Sequence, residues 1–376
     1  MMCVFSDRAQ TVRGLKIVGL SLWLAGLALP AAGADLHDVA SSASASATSL
    51  FIDLPDDGLG LPPRAQLRPM TLAQLEDQLR RPDVQASLSK GTIAVLFPNV
   101  AEPYRSAYLT MIQGIEERTH THVRSYPVDA RMDTSDLRNE LKRNNTRVVI
   151  ALGRQGIQSA NGLDRDIQVL VGGALLLSGD DVNATGISLT PDPAVLFQRL
   201  KSLLPEVRRV HVVYDPRKSD WLLRVAREAA RAQGLELNAV QASDLASAAH
   251  HYSALFAQAD ARRDAVWLPH DTTTVEESTL LPLILRESWN SNIPVFSSNI
   301  LHAKKGVLFA MTPNNLELGK TLAASAMGMI AGDVRKKGVQ PLRELHAAIN
   351  LRTASHMGLS IGYQQQRTFD FVYPEP

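Results

Sequence analysis

Cysteine is nearly absent from the sequence, and neither sign of charge is in excess. The 376 residues include one cysteine, Cys3, which excludes a disulfide-stapled scaffold. Lysine and arginine number 39 against 38 aspartates and glutamates, so no excess of cations is available to replace the counterions of a nucleic acid. Aromatic residues make up only 5% of the chain, whereas hydrophobic residues make up 45%, as in ordinary globular proteins. We therefore expect two or three packed domains that do not bind nucleic acid.

Long hydrophobic runs are also lacking, apart from one short run near the start. Residues 17–29 (IVGLSLWLAGLAL) are uniformly apolar, but 13 residues are few for a membrane span. Three cations precede this run, and small residues at positions 32–34 follow it, as signal peptidase requires. The pattern predicts a signal peptide over residues 1–34 and a Gram-negative periplasmic protein with no membrane span after cleavage. The alternative is an uncleaved anchor helix.

The segment that follows has the composition of a tether. Residues 35–66 contain SSASASATS and then LPDDGLGLPPR, which are too polar and too rich in proline and glycine to form a core. Leucines at helical spacing predict a short helix over residues 70–81. We therefore expect residues 35–90 to form a tether with one short helix.

Apolar runs rich in β-branched residues alternate with helical stretches from residue 91 onwards. Strands are predicted at 93–97, 148–152, 169–171, 210–214, 265–268, 294–296 and 307–311, and helices near 103–118, 134–143, 154–163, 218–233, 243–258, 274–289 and 314–331. This alternation predicts an α/β protein with two doubly wound, Rossmann-like lobes joined by a hinge. We expect lobe one to contain residues 91–188 and 300–376, and lobe two to contain residues 189–299.

Ligands of open α/β sheets bind beyond the carboxyl ends of the strands, so the residues that follow each predicted strand are candidate contacts. In lobe one these are Asn99, Gly153, Arg154 and Gln155, and in lobe two they are Asp215, Trp221, Asp271, Thr272 and Ser298.

Three of these positions have specific alternatives. Arg154, at a strand-to-helix turn, is suited to an anion such as a carboxylate, but a plain tight turn with an exposed arginine explains it equally well. Asp271 is placed to receive an ammonium group; the alternative is that it caps the helix that follows, and the two roles can coexist. Trp221 follows a strand and a loop, and it either stacks on a ligand or makes no ligand contact.

Catalytic and metal-binding motifs are missing from the sequence. It contains no GxSxG elbow, HExxH, P-loop or paired CxxC, and its adjacent carboxylates do not face one another on helices. We therefore expect no catalytic residues, no metal ligands and no cofactor, and we interpret the chain as a binding protein. A secreted enzyme is the less favoured alternative.

Several segments, taken in order, resemble a known family over about residues 91–360. They are GTIAVLFPN, RVVIALGRQG, RVHVVYDPRKSD, AVWLPHDTTTVEES, IPVFSSN, NNLELGKTLAASAMGMIAGD and INLRTASHMGLSI. Together they resemble ABC-type periplasmic substrate-binding proteins of the tryptophan/tyrosine-type branch, which have the type I periplasmic-binding fold. The segment VGGALLLSGDDVNATG departs from that family because it lacks the usual Asp-Pro, and His270 stands where asparagine is usual.

The resemblance implies a hinged receptor that closes on a small solute, often an amino acid, and delivers it to an ABC permease in the inner membrane. By matching position it assigns ligand contacts to Gly153, Arg154, Gln155, Asp215, Asp271 and Thr272. The alternative is a ligand-sensing or scaffold protein of the same fold that does not transport and acts on an envelope partner. A transcription regulator is disfavoured because the signal peptide stands where a DNA-binding helix pair would be.

Overall fold

The strands of the protein pair into two separate sheets. A computed structural model describes residues 92–129, 134–175, 185–332 and 338–374, so the predicted signal peptide, tether and helix 70–81 lie outside the described residues. Within them the strands are β1 Ile93–Pro98, β2 Arg124–Val128, β3 Val148–Leu152, β4 Gln168–Gly172, β5 Thr185–Pro191, β6 Arg209–Tyr214, β7 Glu236–Gln241, β8 Asp264–Leu268, β9 Val295–Ser297, β10 Phe309–Pro313, β11 Gly338–Leu342, β12 Leu345–Asn350 and β13 Phe371–Tyr373.

Helices connect these strands and cover both faces of each sheet. They are α1 Tyr104–Thr119, α2 Thr134–Arg143, α3 Gly153–Ala160, α4 Pro193–Leu203, α5 Pro216–Ala232, α6 Leu245–Gln258, α7 Leu280–Ser291, α8 Ile300–Lys305, α9 Asn315–Ile330, α10 Leu351–His356 and α11 Tyr363–Gln366. Each sheet has one hydrophobic core on each face, built by its helices and the inward-facing strand residues. The predicted α/β architecture of two doubly wound lobes is therefore confirmed.

The first sheet has the order β11-β5-β4-β3-β1-β2 and is parallel throughout. The second has the order β13-β12-β10-β9-β8-β6-β7, in which β12 runs antiparallel to β10. Parallel strands covered on both faces read as continuous apolar runs, and β3 and β8 are buried at every residue.

The chain passes three times between the two sheets, at residues 192, 314 and 343–344. The backbone N–H of Asp192 donates to the carbonyl of Leu342 at 2.7 Å, and the N–H of Asn314 donates to the carbonyl of Glu344 at 2.9 Å. The third crossing is thus hydrogen-bonded to both of the others. Three adjacent crossings of one to two residues each form the hinge.

The tail of the chain divides between the lobes differently from the expected boundary. Residues 300–376 were assigned to lobe one, but β10, β12 and β13 pair in the second sheet, and only α9 and β11 join the first. Sheet membership depends on which distant strand is the hydrogen-bonding neighbour, and a local apolar pattern carries no information about that neighbour.

The return of α9 to lobe one depends on a close approach of two helix backbones. A Cβ atom added at Gly114 of α1 would lie 2.0 Å from the carbonyl oxygen of Leu316, and one added at Gly319 of α9 would lie 2.0 Å from the carbonyl oxygen of Met111. Only glycine at both positions permits this separation. Leu318 and Leu322 of α9 are then fully buried in the core of lobe one.

We expect Gly114→Ala and Gly319→Ala each to lower the free energy of unfolding by about 1–3 kcal/mol, because the new methyl group must push the helices apart. Chemical denaturation followed by far-UV circular dichroism measures this change. The matched control is Gly362→Ala, whose methyl group would meet open space. Equal stability of the control and the two crossing variants would contradict the packing argument.

Candidate functional site

The carboxyl ends of the two sheets adjoin the same hinge. The first crossing leaves the carboxyl end of β5, the second leaves that of β10, and the third joins the end of β11 to the start of β12, which pairs with Pro313. Because each crossing is so short, these two edges lie side by side and bound a cleft. The predicted site residues follow β1, β3, β6, β8 and β9 at these edges, as the topology predicts.

The turn after β3 is built around a glycine in the left-handed region. Gly153 has φ +67°, and a Cβ there would lie 2.6 Å from both Pro98 Cγ and the Tyr108 hydroxyl. Burial raises the pKa of Tyr108, so its hydroxyl stays protonated at this turn. The N-cap of α3, Leu152, makes no side-chain capping hydrogen bond. The first N–H groups of α3 therefore have no side-chain cap, an arrangement that favours an anion.

The other lobe-one candidates surround this turn. Arg154 is exposed, and Gln155 is half-buried. In the described part of the chain the Gln155 Oε1 atom is buried without a hydrogen-bond partner. Asn99 is exposed at the end of β1, where its N–H donates to the carbonyl of Val128 at 2.8 Å. The side chains of Asn99, Arg154 and Gln155 thus lie at the edge of the first sheet that adjoins the cleft.

In lobe two the structure brings Asp215 and Asp271 together in a buried network. Asp271 Oδ2 accepts from the Asp215 N–H at 2.8 Å and from the Ser219 hydroxyl at 3.3 Å. Its Oδ1 accepts from the N–H groups of Thr273 and Thr274 at 2.9 and 3.3 Å. The side chain is only 2% exposed. The expected helix cap is wrong, because the next helix, α7, begins at Leu280 with Thr279 as its N-cap. Asp271 instead closes the turn at residues 271–274, and both of its oxygens are occupied by the protein's own donors.

Asp215 is held by a neighbouring arginine. Arg217 donates to it from its backbone N–H and from Nε and Nη2, at 3.0, 2.9 and 2.7 Å. The Thr273 hydroxyl donates to Asp215 Oδ2 at 3.1 Å. The hydrogen bonds from Arg217 lower the pKa of Asp215 to about 2. A fully buried carboxylate is thereby kept ionised by protein donors.

Lys218 is a residue of this edge that the sequence analysis did not single out. Its ammonium group donates to the hydroxyls of Thr272 and Thr273 at 2.8 and 2.7 Å. Thr272 is exposed, and Lys218 is partly exposed. The signal was available in the sequence, since Lys218 is the fourth residue after β6, between Asp215 and Trp221.

Trp221 and Ser298 have structural partners. Trp221 is half-buried and packs against the hydrophobic core of lobe two. Ser298 is buried, and its Oγ accepts a hydrogen bond from the Trp267 indole N–H at 3.1 Å. Both side chains therefore have contacts within the protein. Arg154 in lobe one and Lys218 in lobe two remain as cations placed at the two edges.

Replacing Asp271 by asparagine should lower the free energy of unfolding by about 1–3 kcal/mol, because an amide NH₂ would face backbone N–H groups where an oxygen now accepts. Urea denaturation at pH 7 measures the loss. The control is Asp220→Asn, which changes an exposed carboxylate on α5 whose ion pair with Arg224 spans 3.9 Å. An Asp271 variant as stable as the control would show that the network does not support the fold.

The Arg217–Asp215 pair predicts a specific dependence of stability on pH. The pKa of Asp215 is lower in the folded state than in the unfolded chain, so its contribution is complete above about pH 4 and is lost as the pH falls towards 2. Arg217→Gln should therefore destabilise the protein at pH 6, and its deficit relative to the unsubstituted protein should shrink between pH 4 and 2. A pH-independent deficit would contradict this assignment.

None of the helices in the described ranges is long and apolar enough to cross a membrane. Those same ranges contain no group of three or more histidines, cysteines, aspartates or glutamates placed to hold a metal ion.

Comparisons with known proteins agree with this architecture. The profile of the family described as ABC transporter substrate binding protein matches residues 129–365. Among solved structures, a substrate-binding protein with adhesive properties from Clostridium difficile, in a ligand-free, open form, is 15% identical with a TM-score of 0.54. The match covers 75% of this chain and 99% of that protein. An ABC domain from Streptococcus pneumonia in complex with L-Trp is 18% identical with a TM-score of 0.45. The match covers 76% of this chain and 100% of that domain. The fold shared with the Clostridium difficile protein is the type I periplasmic-binding fold. A search of curated proteins found no match.

Proposed function

Because the chain belongs to the family of ABC transporter substrate-binding proteins, we propose that it captures a small solute between its lobes and delivers it to an ABC permease in the inner membrane. The family is one of solute-binding proteins and not of enzymes. The observation that carries the proposal is the hinge, whose three short crossings place the carboxyl edges of both sheets along one cleft. Binding in this cleft stabilises a closed arrangement by contacts that the open arrangement lacks.

The chemistry of the two edges supports a solute that carries a carboxylate. In lobe one, Arg154 stands at a helix start without a side-chain cap, and in lobe two Lys218 presents an ammonium group. Both features favour an anionic group. Asp271 is fully engaged by protein donors, so we do not assign it to a ligand ammonium group; it positions the loop that carries Thr272. An amino acid with an apolar side chain is the substrate class that we favour.

The cellular compartment follows from the signal-peptide pattern and from the proposed role. Residues 1–34 have the pattern of a cleaved signal peptide, and a receptor that feeds an importer meets its solute in the periplasm. We therefore propose that the protein acts in the periplasm of a Gram-negative cell.

A thermal-shift screen against amino acids, short peptides, purines and vitamins tests this function. A ligand at a hundredfold excess over its Kd stabilises the folded state by about 2.7 kcal/mol, which should raise the Tm by about 5 °C. At least one carboxylate-bearing compound should give this shift. If no compound in the panel raises the Tm, the result would contradict solute capture and would favour the alternative of an envelope scaffold.

Arg154→Ala should weaken binding of that compound about 10- to 100-fold, because a charge-assisted hydrogen bond to the carboxylate is lost. Isothermal titration calorimetry measures the change. The matched control is Arg165→Ala, an exposed arginine of the same lobe that precedes β4 and so lies at the end away from the cleft. Equal affinities of the two variants would remove Arg154 from the site.

A further inference from the structure

Lobe two contains a second cavity, at the end of the lobe away from the cleft. Its volume is about 640 Å³, which lies within the range of small-molecule pockets. Asn350 and Tyr373, which line it, pair with one another at the carboxyl ends of β12 and β13. Because β12 runs antiparallel to β10, these ends lie opposite to the edge that carries Asp271 and Ser298. We call this cavity the rear pocket.

Cations dominate the charge of the rear pocket. Those that line it are Arg286, Lys304, Lys305 and Arg352. Glu277 pairs with Lys305 at 2.8 Å, and Glu287 pairs with Arg286 at 3.0 Å. Lys304 and Arg352 have no ion pair within the residues that the structure describes. The pocket therefore carries two uncompensated positive charges.

An aromatic wall faces the same space. Trp289 is 40% exposed, and its ring stacks on the ring of His356 with centroids 3.6 Å apart and planes at 7°. The Arg352 guanidinium lies 5.9 Å from the centre of the indole. Leu285 and Tyr373 extend this surface. Because stacking already holds this tryptophan in place, a ligand can pack against its exposed area with little loss of side-chain entropy, as is typical of binding sites.

The floor of the rear pocket is fixed by buried hydrogen bonds. Asn350, 7% exposed, donates from Nδ2 to the carbonyl of Ala303 at 2.9 Å and accepts from the Thr353 N–H at 3.0 Å. The Thr353 hydroxyl donates to the carbonyl of Gly306 at 2.8 Å. These contacts join α8, β12 and α10, so the cations and the aromatic wall project from a preformed frame.

We propose that the rear pocket binds a small amphipathic anion, with a phosphate or carboxylate group at Lys304 and Arg352 and a ring-sized apolar body against Trp289. The concave shape and the volume suit a small soluble molecule. The site is separate from the cleft, so a solute in the cleft and an anion in the rear pocket can be bound together.

The test uses phenyl phosphate as the probe, with inorganic phosphate and phenol as its polar and apolar halves. Phenyl phosphate should quench the tryptophan fluorescence of the protein with a Kd at least tenfold lower than that of either half. The double variant Lys304→Ala, Arg352→Ala should bind it about tenfold more weakly. The matched control is Arg262→Ala, Arg263→Ala, which removes two exposed arginines of the same lobe outside the pocket and should leave the Kd unchanged.

Two further experiments test where phenyl phosphate binds and whether the natural ligand is a lipid headgroup. Arg154→Ala, at the cleft, should leave the Kd of phenyl phosphate unchanged; a tenfold loss there would move binding to the cleft and overturn the proposal. Cosedimentation with phosphatidylglycerol vesicles that disappears in the Lys304, Arg352 double variant would assign the pocket to a lipid headgroup and contradict a small soluble ligand. The proposal would also be overturned if the Lys304, Arg352 double variant bound phenyl phosphate with an unchanged Kd.

Discussion

The close contact between Gly114 and Gly319 is the constraint on which the arrangement of the lobes depends. It lets α9, whose preceding strand belongs to the second sheet, lie directly on α1 in the first lobe. From there the chain continues into β11 at the edge of the first sheet and returns through the third crossing. Both flanking crossings are hydrogen-bonded to that third segment. One helix contact therefore fixes where the hinge stands and which sheet edges bound the cleft.

Most interior strands of both sheets were predicted, whereas the interior strands β5 and β12 and all four edge strands were not. Strands such as β3 and β8 are buried on both faces, so they read as unbroken apolar runs. The strands β2, β7, β11 and β13 form the four outer edges of the two sheets and were missed. Their residues are mostly exposed or half-buried, and β2 contains Pro127, so local hydrophobicity gives little signal there. Edge strands are defined by a neighbour, which a linear pattern does not contain.

The candidate site shows a similar division between local and distant information. The glycine turn at Gly153 could be predicted because its conformation is set by the turn itself. The position of Asp271 at a strand end was also correct, yet its role is decided by Asp215 and Ser219, which lie 56 and 52 residues away along the chain. An aspartate between a strand and a helix is suited both to ligand binding and to loop closure. Only the three-dimensional contacts distinguish the two.

Ligand-driven closure of the hinge is the central claim, and a distance measured across the cleft tests it most directly. The one cysteine of the sequence, Cys3, lies in the proposed signal peptide, so the cleaved protein accepts specific spin labels at Arg105→Cys on α1 and Asp220→Cys on α5. Double electron–electron resonance, with and without saturating cleft ligand, should show a distance distribution that shifts to shorter values and narrows. A distribution that does not change while calorimetry shows the ligand bound would contradict the account of a hinged receptor.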